Sequence, residues 1–213
     1  MRSVSRIITA FAALFCLSLL FWCEDIMAIE EAKYSVVERE DAFELRQYQP
    51  QIIAETVVEG DFDQVGNEGF RRLFKYISGN NRSKKSISMN APVSQEKTYE
   101  KITMTAPVNQ EKIGEKWIIT FLMPSQYTME NIPEPLDPRI VIKKIPGNLM
   151  ASMRYSGTWS KIRYEDNKAR LYEMINKRGL KPEGEPIFAR YNSPFMPWFL
   201  RRNEVLIPVK LIH

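Results

Sequence analysis

From residue 29 onward the chain has no cysteine, and its one histidine is the last residue, His213. That removes disulfides, thiol nucleophiles, histidine-based hydrolytic triads and metal centres built on cysteine or histidine. Both cysteines, Cys16 and Cys23, lie within the first 28 residues. Glycine is sparse, at 9 residues, and no Walker loop or dinucleotide-binding glycine run occurs. Long blocks of one charge are also missing. The net charge is +4, and the longest basic cluster is KRGLK at 177–181. A nucleic-acid footprint needs a coherent positive face, so no nucleic-acid partner is expected. Carboxylates are plentiful, among them Glu38, Glu40, Glu44 and Glu55, but none stands in a context that marks an acid–base pair. They read as a solvated sheet face. These absences favour binding over catalysis, and the chain is read as a non-enzyme.

What is present begins with a leader. MRSVSR carries two arginines and no acid, residues 7–23 are almost unbroken in their apolarity, and EDIMA ends in the small Ala28. This is the order of an export signal, with cleavage after Ala28. The alternative is an uncleaved membrane anchor, for which the run is rather short. The division is therefore 1–28 signal peptide or anchor and 29–213 one domain. The expected location is periplasmic or secreted, or else anchored to the inner membrane and facing the periplasm. Membrane contact is expected only through an uncleaved N-terminal segment.

The body shows two cycles of strands, helix, strands. YSVVERE (34–40) and FELRQYQ (43–49) read as strands joined at Asp41–Ala42, and QIIAETVVEG (51–60) reads as a third strand of an antiparallel meander. Asp61 opens a helix as a potential cap, and Phe62, Val65, Gly69, Phe70, Leu73 and Ile77 form its apolar stripe. KWIITFLMP (116–124) is a strong strand, and the proline-rich 125–138 is a long connection. RIVIKKIP (139–146) pairs in this reading with LMASMRYSG (149–157). A second helix over 160–178 presents Ile162, Ala169, Tyr172 and Ile175, and EPIFARYN (185–192) and NEVLIPVKL (203–211) close the cycle. The expected architecture is α+β, with antiparallel sheet packed on two helices in two similar halves.

Between the cycles one phrase is written twice. SISMNAPVSQEKTYE (86–100) is followed by KITMTAPVNQEKIGE (101–115), identical at nine of fifteen positions. In a strand, Ile102, Met104 and Ala106 would share one face and Thr103 and Thr105 the other. ITMTAPV is taken as the structural strand, turning at 110–116 into WIITFLM, and the first copy as a flap or pocket wall. Met89 and Met104 have two readings: packing of uneven space, or a soft wall for a flat apolar ligand with a thioether available to haem iron. Near the C-terminus Tyr191, Phe195, Trp198 and Phe199 stand beside Arg201 and Arg202. They read either as a packed crossover with its arginines in water or as a holder for a conjugated ring bearing carboxylates.

Several ordered motifs carry a resemblance. KITMTAPV, WIITFLMPSQYTMENIPEPLDPRIVI, YSGTWS and YNSPFMPWFLRRNEVLIPV, with YSVVEREDAFELRQYQPQIIAET ahead of them, resemble the SOUL haem-binding-protein family over roughly 33–210. The tandem NAPVSQEK and MTAPVNQEK forms are similar to its bacterial, exported members. The resemblance implies a distorted antiparallel β-barrel or sheet with two helices and pseudo-two-fold β-α-β halves. It also implies similarity to the effector-binding domains of multidrug-sensing regulators. As cofactor it implies haem or a related tetrapyrrole. An axial histidine credited to some members has no counterpart in the N-terminal part of this sequence. The resemblance places the pocket along the first helix, with Phe62, Val65, Phe70, Leu73 and Phe74 on the ring and Arg71, Arg72 or Lys75 at a propionate. Met89 and Met104 are its wall residues or iron ligands, and no metal site of the protein's own is expected. The leading function is thus tetrapyrrole binding by a non-catalytic envelope protein. The alternatives are a general module for small apolar or cationic ligands, or a protein-interaction module with no physiological haem.

Overall fold

A computed structural model describes residues 29–84 and 99–212. The leader, most of the first copy of the doubled phrase with Met89, and His213 lie outside the described residues. Among the described residues, twelve strands and two α-helices follow in the order β1 (Tyr34–Glu40), β2 (Phe43–Tyr48), β3 (Gln51–Glu59), α1 (Phe62–Ile77), β4 (Asn81–Arg82), β5 (Val108–Ile113), β6 (Lys116–Leu122), β7 (Glu134–Pro135), β8 (Ile140–Ile145), β9 (Leu149–Tyr155), α2 (Lys161–Lys177), β10 (Leu180–Pro182), β11 (Ile187–Arg190) and β12 (Asn203–Leu211). A short 3₁₀ turn at Trp198–Leu200 precedes β12.

The large sheet runs β1-β2-β9-β12-β11-β5-β6-β3-β8, with β10 added beside β12, and every pairing in it is antiparallel. The α+β sheet expectation holds. The barrel does not close: β1 and β8 are the two ends of the path and do not pair with each other.

Two halves are visible in that order. β3-α1-β5-β6 supplies the run β5-β6-β3, and β9-α2-β11-β12 supplies β11-β12-β9, so the β5·β11 pair sits at the centre. Each half then receives one strand from the other cycle. β2 continues into β3 but pairs with β9, and β8 continues into β9 but pairs with β3. The expected β2–β3 and β8–β9 hairpins are therefore absent. Pro50 and Pro146 at the joints deprive each of an amide, and the chain bends there instead of turning back. The two bends lean on each other. Tyr48 N donates to Asn148 O at 2.9 Å, and a Cβ on Gly147 would stand 2.3 Å from the Tyr48 carbonyl oxygen.

Alternation along the strands builds two layers. Phe43, Leu45, Ala151, Met153, Val205 and Ile207 point to the helices and join the main core. Tyr48, Met150 and Leu206 point the other way, into a smaller cluster with Ala106, Ala189, Tyr191 and the N-terminal Ala32. Phe62 at the start of α1 binds the helices together, stacking on Tyr164 at 5.5 Å and on Phe188 at 5.6 Å, with Trp117 edge-on at 5.5 Å.

Three local readings change. Asp61 occupies the N-cap position of α1, but its side chain makes no cap bond; Ser160 does cap α2, accepting from Arg163 N at 3.4 Å. The buried stripe of α2 is Tyr164, Asn167, Leu171 and Ile175, while Ile162 and Ala169 are exposed. ITMTAPV is not the strand: β5 begins at Val108, one residue after Pro107, and ends at the Gly114–Glu115 turn. Pro107 has no amide to give, and the segment before it is fastened instead by Thr105 Oγ1 donating to Leu122 O at 2.5 Å.

α1 lies very close to β6. A Cβ on Gly69 would fall 2.3 Å from Ile119 Cγ1. Helix propensity alone favours alanine over glycine by about 1 kcal/mol, but overpacking a filled core costs about 1–3 kcal/mol. At so short a distance the second effect wins. Gly69→Ala is expected to lower the urea midpoint, and a raised midpoint would show that α1 moves away freely.

Candidate functional site

Beside the centre of the sheet, at the end of the β5·β11 pair where Val108 faces Arg190, a cleft of about 390 Å³ opens. One wall comes from the first half: Phe70 and Phe74 of α1, then Met104 and Val108. The opposite wall comes from the second half: Trp159 ahead of α2, then Arg190, Tyr191 and Phe195. Phe70 and Phe74 are stacked at 5.7 Å, one turn apart on the helix, and Phe70 is held edge-on by Phe121 at 5.4 Å. This supplies a flat aromatic wall. Among the described residues no aspartate or glutamate lines the cleft.

Arg190 is the unusual member. Its guanidinium lies 5.3 Å from the Trp159 ring and 5.7 Å from the Phe188 ring. Its Nε and Nη2 are buried without a hydrogen-bond partner, and so is Trp159 Nε1. Burial pushes the guanidinium down to about 10. Buried donors are ordinarily paired, so three orphan N–H-bearing nitrogens on two residues of the cleft lining leave unmet capacity for an acceptor. A carboxylate suits them best, since it neutralises the charge and accepts from a fork of donors.

Tyr191 closes the cleft on the far side and belongs to a second, fully satisfied group. Its hydroxyl donates to Glu204 Oε2 at 2.9 Å, and burial raises it well above the usual phenol range. It is thus a neutral phenol turned away from the cleft. Glu204 also accepts from Arg46 (2.6 and 3.0 Å) and from Arg202 Nε (2.9 Å). Arg46 reaches Glu44 and Tyr48, and Arg202 reaches Glu31. Burial alone would raise the Glu204 carboxyl, but the two arginines and Tyr191 prevail and hold it below the usual carboxylate range.

The residues singled out from the sequence divide sharply. Phe70, Phe74 and Met104 line the cleft. Phe62, Val65 and Leu73 are buried between α1 and the sheet and do not line it. Arg71 is exposed and bonded to Asn67 O, Arg72 is engaged by Glu68, Thr56 and Val57, and Lys75 is exposed; none of the three lines the cleft. The packed-crossover reading of 193–202 changes, because Phe195, Trp198 and Phe199 are exposed. Of the ring-holder residues, Tyr191 and Phe195 line the cleft, whereas Arg202 turns into the Glu204 group and Arg201 bonds the carbonyls of Pro194 and Met196 while lying 4.5 Å from the Trp159 ring.

Sequence reasoning missed Arg190 and Trp159. A signal existed for the first: Phe188 and Arg190 share a strand face, and Phe188 is core, so the arginine had to enter the packed side. Among the described residues no group of histidine, cysteine, aspartate or glutamate is arranged to hold a metal ion, and no helix is long and apolar enough to cross a membrane.

Comparison with known proteins adds the following. A family model described as SOUL heme-binding protein matches residues 29–208. Heme-binding protein 1 of Xenopus laevis is 27% identical over 171 residues, covering 77% of this chain and 82% of that protein. Among solved structures, the EcmrR C-terminal domain aligns with a TM-score of 0.55 at 11% identity, covering 84% of this chain and 99% of that one. A hydrolase from Listeria innocua aligns with a TM-score of 0.51 at 10% identity, covering 82% and 94%. At such identities the two structures speak for the fold alone.

Proposed function

The chain belongs to the SOUL heme-binding protein family, and from that premise we propose that the cleft between α1 and the Trp159–Arg190 wall binds haem or a related tetrapyrrole. Family membership supports a non-catalytic ligand-binding role. The observation that carries the finer reading is the pairing of a stacked aromatic wall with unpaired buried donors and no acid. A tetrapyrrole bearing carboxylates presents the complement: a broad apolar face and an anionic edge. The same observation weighs against a cationic ligand, which would meet the Arg190 guanidinium with no carboxylate to offset it.

The protein's own residues do three things in this reading. Phe70, Phe74 and Met104 cover the ring face, Arg190 and Trp159 donate to the acid edge, and Tyr191 fixes the back of the cleft through Glu204. The bound group would supply the colour and any redox chemistry. Met104 is the one described cleft residue with a side chain suited to ligating iron in the state held here, because Tyr191 is neutral and turned away. The main affinity is assigned to the walls and the acid anchor. Titration of the full chain with haem and with iron-free protoporphyrin tests this. Saturation at one ring per chain is expected for both, with dissociation constants within about tenfold of each other, a difference of about 1.4 kcal/mol. Unsaturable absorbance with both would overturn the assignment. Binding of haem alone, lost in Met104→Leu, would move the main interaction to the iron.

A further inference from the structure

The segment that follows the cleft wall holds its apolar side chains outward. Phe195 is 93% exposed, and Trp198, Phe199 and Leu200 are 55%, 58% and 61% exposed. This is not a slack loop. Met196 N donates to Ser193 O at 3.0 Å, Leu200 N to Pro197 O at 2.9 Å, and Arg201 clamps the base through Nε to Met196 O at 2.8 Å and Nη2 to Pro194 O at 2.7 Å. Prolines 194 and 197 stiffen it further. A rigid platform presents these side chains with little ordering left to do on docking.

The surroundings say what it docks to. Ile29, itself exposed, lines the same cleft as Phe195. The sequence immediately ahead of Ile29 is EDIMA, preceded by the apolar run 7–23. Five residues reach at most about 18 Å, so where the leader is retained as an anchor the end of its apolar run is tied within that distance of Ile29. On the other side of the cleft the half-exposed Phe74 is flanked by Arg71 and Lys75, both exposed, and residues 193–201 contain no acid. Exposed tryptophan and phenylalanine on an acid-free segment, across the cleft from a phenylalanine flanked by cations, match the headgroup region of an anionic bilayer.

We infer that the 193–201 platform is a lipid-docking surface: Phe195, Trp198, Phe199 and Leu200 enter the interface of an anionic membrane, and the cleft opens toward that membrane. This extends the ligand reading without depending on it, since docking needs no bound tetrapyrrole.

The test uses the full chain with Trp22→Phe, which removes the leader's own indole. It is mixed with vesicles of phosphatidylcholine and phosphatidylglycerol brominated on the acyl chains. Quenching of tryptophan emission is expected in this protein, with loss of that quenchable part in Trp22→Phe/Trp198→Phe. Because Trp198 is half exposed, its replacement by phenylalanine leaves the fold intact, which near-UV dichroism checks. Equal quenching in both proteins would overturn the inference. So would absence of quenching while the protein sediments with vesicles, which would mean that the leader alone attaches it. Absence of quenching together with a dimer that Trp198→Ala/Phe199→Ala dissociates would overturn it in favour of a second copy.

Discussion

Glu204→Gln is expected to destabilise the domain by about 3–5 kcal/mol, the range for removing one partner of a buried ion pair. The carboxylate is 0% exposed and Arg46 is 2% exposed. Glutamine keeps the shape but offers one acceptor oxygen where four donor contacts now converge: two from Arg46, one from Arg202 and one from Tyr191. Arg46 would retain Glu44, and Arg202 would retain Glu31, but each would lose its shared counter-charge. The sign of the pH dependence follows from the lowered carboxyl. Its stabilisation is complete above the unfolded value, about 4.3, and is lost as pH falls through the lower folded value. The gap between wild type and Glu204→Gln in urea midpoint should therefore be widest at neutral pH and narrow on acidification. A gap independent of pH would assign the loss to packing alone.

Arg190→Met is expected to act in the opposite direction on stability and to weaken ligand binding. Burial lowers this guanidinium from 12.5 to about 10, which corresponds to a penalty of about 3 kcal/mol at neutral pH. The Trp159 and Phe188 rings return part of it. A methionine of similar length should raise stability by about 1–3 kcal/mol. Binding moves the other way. Loss of a charge-assisted bond, about 1.5–3 kcal/mol, predicts a 10- to 100-fold weaker dissociation constant for protoporphyrin and little change for its dimethyl ester. Equal losses for acid and ester would remove Arg190 from the acid anchor while leaving the cleft as the site. A residue that weakens the fold and strengthens a complex is what a binding site retains against stability.

The elements themselves were legible because each strand kept its period and each helix its stripe. β1, β2, β3, β6, β8, β9 and β12 fall where alternation and turns put them. Their partners were not legible. The joints at Gln49–Pro50 and Pro146–Asn148 look like tight turns in one dimension, and only the sheet shows that each joint passes a strand to the other cycle. The APV phrase misled for a different reason. Its alternating apolar positions are genuine, since Ile102 and Ala106 are buried, yet burial on a strand-like period does not require ladder bonds. The first helix gave its two cleft aromatics, Phe70 and Phe74, but periodicity cannot say which residue of a wide stripe meets the sheet and which meets the opening. Arg190 escaped because charge was sought on exposed helix faces, where cations are common and mostly solvated.

Reciprocal lending of β2 and β8 makes the two cycles inseparable neighbours. Their shared seam is β5 beside β11, and the cleft sits at the end of that seam with one cheek from each cycle. A guest lodged there straddles the joint between the cycles, so its grip depends on how they are tilted against one another as much as on any single side chain.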